Sequence, residues 1–231
     1  MPLFYQPEIT VGHLSKEESG HASRVLRLTA GDEIQITDGR GNLYKALIRE
    51  PDPTKCKFEI LAQSSIPRRA FSVHLAIAPT KNADRMEWMV EKCVEVGIEK
   101  ISFITCKTSE RKTINLERFE KIIVAAMKQS QQAWLPVICE LIPFREFITA
   151  TTEAQRFIAH VDSENPHHLT RAAALAGEYL VLIGPEGDFS LDELALAATS
   201  GYQKVSLGPH RLRTETAGLA AVMMLNMLNL R

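Results

Sequence analysis

Leu180-Val181-Leu182-Ile183-Gly184-Pro185-Glu186-Gly187-Asp188-Phe189-Ser190 is the stretch whose reading decides the fold. It opens with residues that are apolar at every position. Such a strand has no polar face to offer solvent, which is the habit of a parallel sheet covered on both sides. The run breaks at Gly184, and Ser190 with Glu193 forms a capping-box pattern that starts a helix. In parallel sheets a strand that leads through a glycine loop into a helix is where ligands bind, outside the carboxyl end of the strand.

The same rhythm extends outward in both directions. Val73–Ala78 (VHLAIA) is a buried-type strand. Asp84–Val96 places Met86, Met89, Val90, Cys93 and Val94 at a 3.6-residue period, and Gly97 fits its stop. Strands over Lys100–Thr105, Pro136–Leu141, Arg156–Val161 and Lys204–Leu207 alternate with helices over Leu116–Met127, Ser190–Thr199 and Thr214–Leu230. Alternation of this kind means an α/β domain built on a parallel sheet. The first 70 residues read differently. Ser15-Lys16-Glu17-Glu18 is a second capping-box pattern, opening a short helix through Leu28. Strands follow over Glu33–Thr37, Leu43–Ile48 and Cys56–Ala62, the first two separated by the turn signal Asp38-Gly39-Arg40-Gly41-Asn42. Closely spaced strands suggest a small barrel. Gln63–Phe71 reads as the linker, so two domains are expected, residues 1–70 and 71–231.

Composition narrows the class. Apolar residues make up 45% and charged residues 24% of the 231, which suits a well-cored protein. No apolar run approaches the ~18–20 residues that span a membrane, and the first residues lack the features of a signal peptide, so a cytoplasmic protein is expected. Cys56, Cys93, Cys106 and Cys139 form no Cys-x-x-Cys pair and no zinc pattern; reduced, mostly buried thiols are expected, with no metal. The net charge of −1 gives no overall basic footprint for nucleic acid, so any RNA binding must come from local patches. Taken alone, that charge argues mildly for a metabolic enzyme using nucleotides.

The glycine loop speaks to the ligand. The chain has neither G-x-x-x-x-G-K-[ST] nor G-x-G-x-x-G. Pro185 removes an N–H from the loop and Glu186 repels phosphate, so the loop suits a nucleoside without phosphates, including a cationic one such as S-adenosylmethionine. An ordinary tight turn is the alternative. A second strand exits into Val205–Ala217 (VSLGPHRLRTETA), where Thr214 is placed to cap the last helix and Glu215 to complement its dipole. Arg211 and Arg213 flank Leu212, so in an extended stretch they share a face and leave Leu212 to the other. That arrangement offers Leu212 to an adenine and the arginines to an anion; a surface Arg–Glu pair worth under ~1 kcal/mol is the alternative. Near the N-terminus, Arg24 and Arg27 are spaced to share a helix face and, with Arg68 and Arg69, to contact RNA phosphates; a solvated basic face is the alternative. His160 ends a strand on the ligand side and reads as a packed histidine.

Five segments in order resemble the bacterial 16S ribosomal RNA uridine N3-methyltransferases of the SPOUT superfamily. They are His21–Leu28 (HASRVLRL) followed by Gly31-Asp32, Lys81–Gly97 (KNADRMEWMVEKCVEVG), Lys128-Gln129-Ser130, Ile183–Phe189 (IGPEGDF) and Leu207–Ala217 (LGPHRLRTETA). The resemblance implies a PUA-like RNA-binding β-barrel over 1–70 and a SPOUT α/β methyltransferase domain with a C-terminal trefoil knot over 71–231. It implies S-adenosyl-L-methionine held by Ile183, Gly184, Pro185, Glu186, Gly187, Leu207, Gly208, Leu212, Thr214 and Ala217. Arg211, Arg213 and Glu215 become the catalytic candidates. The implied substrate is a specific uridine of 16S rRNA in the small ribosomal subunit, methylated at N3 by a homodimer with its site near the subunit interface. A related methyltransferase acting on another RNA nucleotide is the alternative. The chain departs from the family at Asp188, where the loop usually has a second glycine, and at Gln132, where an arginine is frequent.

Overall fold

The structure, a computed structural model, describes residues 1–161 and 167–230. It divides into two compact units, Met1–Arg68 with Val124–Leu135, and Arg69–Ile123 with Pro136–Arg231.

In the first unit, strands β1 (Leu3–Tyr5), β2 (Glu33–Thr37), β3 (Asn42–Glu50) and β4 (Lys57–Ser65) form one sheet in chain order, with β1 parallel to β2 and the others antiparallel. Alternation sends Ile34, Ile36, Ala46, Ile48 and Phe58 into a core shared with Phe4, Leu14, Ala22 and Cys56. The expected turn between β2 and β3 forms: Asp38 Oδ1 accepts from the amides of Arg40 (2.8 Å) and Asn42 (3.2 Å). Residues 63–65, expected in the linker, instead continue β4, because Gln63, Ser64 and Ser65 pair with Tyr44, Leu43 and Asn42.

The first helix differs from expectation. Ser15 Oγ accepts from Glu18 N as a cap should, but the Glu18 carboxylate turns to Lys128 (2.5 Å) instead of reaching back. Helix α1 (Lys16–Gly20) passes into a π turn, His21–Val25, and Arg27 takes a left-handed φ of 54°, so the helix stops short of Leu28. The unit's second stretch is stitched in by hydrogen bonds. Thr37 Oγ1 and Gly41 N donate to Ala133 O (3.1 and 2.9 Å), Leu135 N to Gly39 O (2.9 Å), and Trp134 Nε1 to Ile66 O (2.9 Å). Gly41 has φ 93°, and a Cβ there would lie 2.3 Å from the Trp134 ring.

The second unit contains β5 (Ser72–Ile77), α2 (Ala83–Val96), β6 (Lys100–Thr105), the start of α3 (Leu116–Gln129), β7 (Val137–Pro143), α4 (Phe144–Ala150), β8 (Gln155–Ala159), α5 (Leu169–Ala172), β9 (Glu178–Ile183), α6 (Leu191–Thr199), β10 (Gln203–Val205) and α7 (Thr214–Leu228). The six strands form a wholly parallel sheet in the order β10-β8-β9-β5-β6-β7. Its apolar strands are covered twice, as their lack of a polar face requires. Ala76, Ile158, Leu180 and Leu182 pack with Phe144 and Phe147 of α4 and Ala197 of α6. The alternate residues Leu75 and Ile77 meet α7 at Gly218, where a Cβ would stand 2.9 Å from Ile77 Cδ1. Fully burying such side chains is worth ~1.5–3 kcal/mol each, so packing on both faces, more than local propensity, fixes the strand positions.

Cys56, Cys93 and Cys106 are buried and Cys139 is half-buried, all four free. Burial pushes the Cys93 and Cys106 thiols up. Inside the sheet, His74 Nε2 lies 2.8 Å from Ser102 Oγ and Nδ1 lies 2.5 Å from Glu153 Oε1. Burial holds this imidazole below its ordinary range, and hydrogen bonding to it draws the Glu153 carboxyl down to about 2. Among the described residues, no helix is long and apolar enough to cross a membrane.

Candidate active site

β8, β9 and β10 are neighbours, and Ala159 is level with both Ile183 and Val205. Parallel register therefore brings three carboxyl ends together, and the loops that leave β9 and β10 face one cleft of about 940 Å³. Of the residues expected to hold the cofactor, Ile183, Gly184, Pro185, Glu186, Leu207, Gly208, Leu212, Thr214 and Ala217 line it. Gly187 does not line it and sits against Thr108, where a Cβ would come within 3.1 Å of that side chain. Arg211, Arg213 and Glu215 line the cleft as well.

The loop after β9 is held at several points. Asp188 adopts φ 62°, the left-handed conformation that Asp tolerates better than most residues. Its Oδ1 accepts from Phe189 N (2.7 Å), and its carbonyl accepts from Thr108 Oγ1 (2.7 Å). Glu186 Oε1 accepts from Lys81 N (3.2 Å). The capping box at Ser190 and Glu193 is complete, and Glu193 Oε1 also accepts from Lys107 N (2.8 Å). At Gly184 the requirement is space: a Cβ would approach the Phe189 ring to 3.1 Å.

Two bonds tie the second loop to the first. Arg211 Nη2 donates to Glu186 O (3.1 Å), and Thr214 Oγ1 donates to Gly184 O (3.2 Å). The latter corrects the expected cap. Arg213, extended at φ −70° and ψ 153°, occupies the N-cap without a side-chain bond, so Thr214 is the first residue of α7 and its hydroxyl is free to cross to Gly184. Gly208 at φ 133° has open space where a side chain would be, leaving its backbone approachable.

The cleft carries both signs of charge. Glu215, only 7% exposed, faces Arg85 Nη1 at 3.7 Å. Arg85 escaped the sequence reading; the available signal was its place in the first turn of the helix after β5, the strand beside β9. His160 does more than pack at a strand end. It lines the cleft, with Nδ1 at 2.9 Å from Asp188 Oδ2.

The four arginines expected to contact RNA fare differently. Arg24 lies in the π turn and Arg27 beyond it in the left-handed region, so the α-helical spacing that would align them is not kept. Arg68 stacks on Trp134 at 4.0 Å. Arg69 is bound within its own unit, with Nε 2.9 Å from Glu99 Oε1, a second bond to Asn226, and its guanidinium over Phe71. Gln132 donates to Ser130 Oγ (3.0 Å). Among the described residues no three His, Cys, Asp or Glu side chains are grouped to hold a metal.

Residues 67–226 match the family described as RNA methyltransferase domain, and residues 14–61 the one described as RNA methyltransferase PUA domain. The chain is 29% identical to the ribosomal RNA small subunit methyltransferase E of Synechocystis sp., over 93% of this chain and 72% of that protein. A probable rRNA-methyltransferase from Porphyromonas gingivalis superposes with a TM-score of 0.94 at 43% identity, covering 99% of this chain and 98% of that one. The ribosomal RNA small subunit methyltransferase E of Neisseria gonorrhoeae, solved bound to S-adenosyl methionine, superposes with a TM-score of 0.83 at 26% identity, covering 99% and 98%.

Proposed function

The chain belongs to the ribosomal RNA small subunit methyltransferase E family, SPOUT-type RNA methyltransferases with a PUA domain, and from that premise we propose that it methylates N3 of a specific uridine in the 16S rRNA of the small ribosomal subunit, using S-adenosylmethionine. The observation that carries the reading is the cleft built by the two Gly-Pro loops that leave β9 and β10, whose carboxyl ends flank that of β8 in a parallel sheet.

The residues present fit the cofactor. Ile183, Leu207, Leu212 and Ala217 give apolar walls for an adenine, and the exposed backbone at Gly208 admits close approach. Glu186, Asp188 and Glu215 bring negative charge suited to a cationic ligand, while Pro185 and Pro209 take away the amides a phosphate would need. The volume lies within the ~300–1,000 Å³ usual for small-molecule sites. When bound, S-adenosylmethionine supplies an electrophilic methyl on a sulfonium.

The protein's part is to bind and orient the uridine and to favour loss of its N3 proton. Arg211 and Arg213 place positive charge where the imide anion develops, in a preorganised site. Arg211 is steadied for this by its bond to Glu186 O. Glu215 holds Arg85 at the edge of the cleft. RNA affinity comes from local cations, with Arg24, Arg27 and Arg68 in the PUA-bearing unit. A cytoplasmic homodimer and a trefoil knot belong to the same reading.

The test is a methylation assay on small ribosomal subunits that lack the modification, followed by nucleoside mass spectrometry. N3-methyluridine is the expected product. Cofactor binding with a different methylated nucleoside would leave the fold and cofactor in place and replace the target.

A further inference from the structure

We propose that His160, oriented by Asp188, is the catalytic residue that takes the N3 proton of the uridine; this rests on the methyl-transfer reading above. β8 lies between β9 and β10, so the residue after Ala159 emerges between the two loops of the cleft. The backbone of His160 is fixed there, its N–H donating to Val205 O at 3.2 Å. The Asp188 carboxylate is aimed by its own fixed loop: one oxygen accepts from Phe189 N, and the other stands 2.9 Å from His160 Nδ1. The contact has the length of an ion pair without the alignment of a hydrogen bond, so Asp188 acts first through its charge. Negative charge at Nδ1 keeps the proton on that nitrogen and leaves the Nε2 lone pair to accept another.

The other candidates in the cleft are engaged or outlying. Glu215 faces Arg85, Glu186 accepts from Lys81 N, His168 Nδ1 accepts from Thr170 N (3.4 Å) and so carries its proton on Nε2, and His210 is exposed on the outer loop. The departure from the family's glycine at position 188 thus places a carboxylate where it can act on an imidazole. The step balances: N3–H gives its proton to Nε2, the freed electron pair forms the N3–CH₃ bond, and the S–CH₃ bond breaks with its pair left on sulfur. The imidazolium then returns its proton to water.

Two measurements test this. Long-range ¹H–¹⁵N spectra of the cofactor-free protein should show His160 as the Nδ1-protonated tautomer, with the Asp188→Gly variant moving toward the other. An unchanged tautomer in Asp188→Gly overturns the orienting role of Asp188. Single-turnover rates on small subunits should fall about 100-fold or more in His160→Gln, the range of general-base effects, while cofactor affinity and thermal midpoint hold. A His160→Asn variant repeats the test if His160→Gln is unstable. A His160→Gln enzyme with undiminished rate, or with affinity lost in step with rate, overturns the proposal alone. A wild-type enzyme that forms no N3-methyluridine overturns the reading above, and this assignment with it.

Discussion

The arginines at the end of the parallel sheet and those near the N-terminus begin as the same kind of signal, two cations a short step apart, and end in different states. Arg211 and Arg213 sit in a loop anchored on both sides, by the pairing of β10 with β8 and by α7 pressed onto β5 through Gly218. Both face the cleft. Arg24 and Arg27 depended on an α-helix continuing past Gly20, and the chain makes a π turn there and then a left-handed residue. Side-chain placement follows from sequence where both flanks are pinned by buried structure, and fails where it hangs on how a short helix ends.

The contrast is sharpest at Arg211. Arg211→Ala should lower single-turnover methylation by about 10²–10³-fold, the loss seen when a preorganised charge-stabilising donor is removed, while calorimetry finds cofactor affinity nearly unchanged. Equal losses in both would move Arg211 to cofactor holding.

The anchoring itself is tested at Gly218. Gly218→Leu should cost ~1–3 kcal/mol in urea unfolding through overpacking against Ile77 and Leu75. An unshifted midpoint would mean that α7 does not press on the sheet.

Acid should weaken the same sheet through His74 and Glu153. Burial holds His74 below the ordinary imidazole value of 6.5, so as pH falls through that value the unfolded chain takes up a proton the folded one resists, and stability drops. Glu153, at about 2 against an ordinary 4.5, contributes stability that is present above 4.5 and lost as pH falls toward 2. Unfolding midpoints should therefore decline on acidification, and His74→Phe should flatten that decline, since it removes the imidazole and the bond that lowers Glu153. A parallel decline in the variant would place the acid sensitivity elsewhere.

The remaining arginines predict the smallest effects. Arg69→Ala should cost about 1 kcal/mol of stability, the scale of a lost hydrogen-bonded pair, and leave the salt dependence of RNA binding alone. Removing Arg24 and Arg27 together should do the opposite, flattening that dependence by about 0.7 in slope for each phosphate no longer neutralised. An unchanged slope would remove both from the RNA interface.

Much of this was legible. Continuous apolar runs separated by amphipathic helices announced a covered parallel sheet, and two glycine loops, one after such a run and one after the short strand β10, announced the cleft. What stayed hidden was decided by tertiary pairing. The Arg85–Glu215 and His160–Asp188 contacts join residues far apart in the chain, and a single-residue shift of the α7 cap, set by the extended backbone of Arg213, turned Thr214 from a cap into a tie between loops. The Lys128–Glu18 pair took a glutamate out of a capping box that its local sequence had promised.

The first unit is made of two separated stretches, and this has a consequence in time. A chain made from its N-terminus delivers Thr37, Gly39, Gly41 and Ile66 well before Ala133, Trp134 and Leu135, the residues that meet them. At ~5–20 residues per second that interval is on the order of seconds. The early-emerging sheet must wait on the ribosome with the seat for Trp134 empty, and the first unit is finished only after the Arg69–Ile123 stretch of the second has been made.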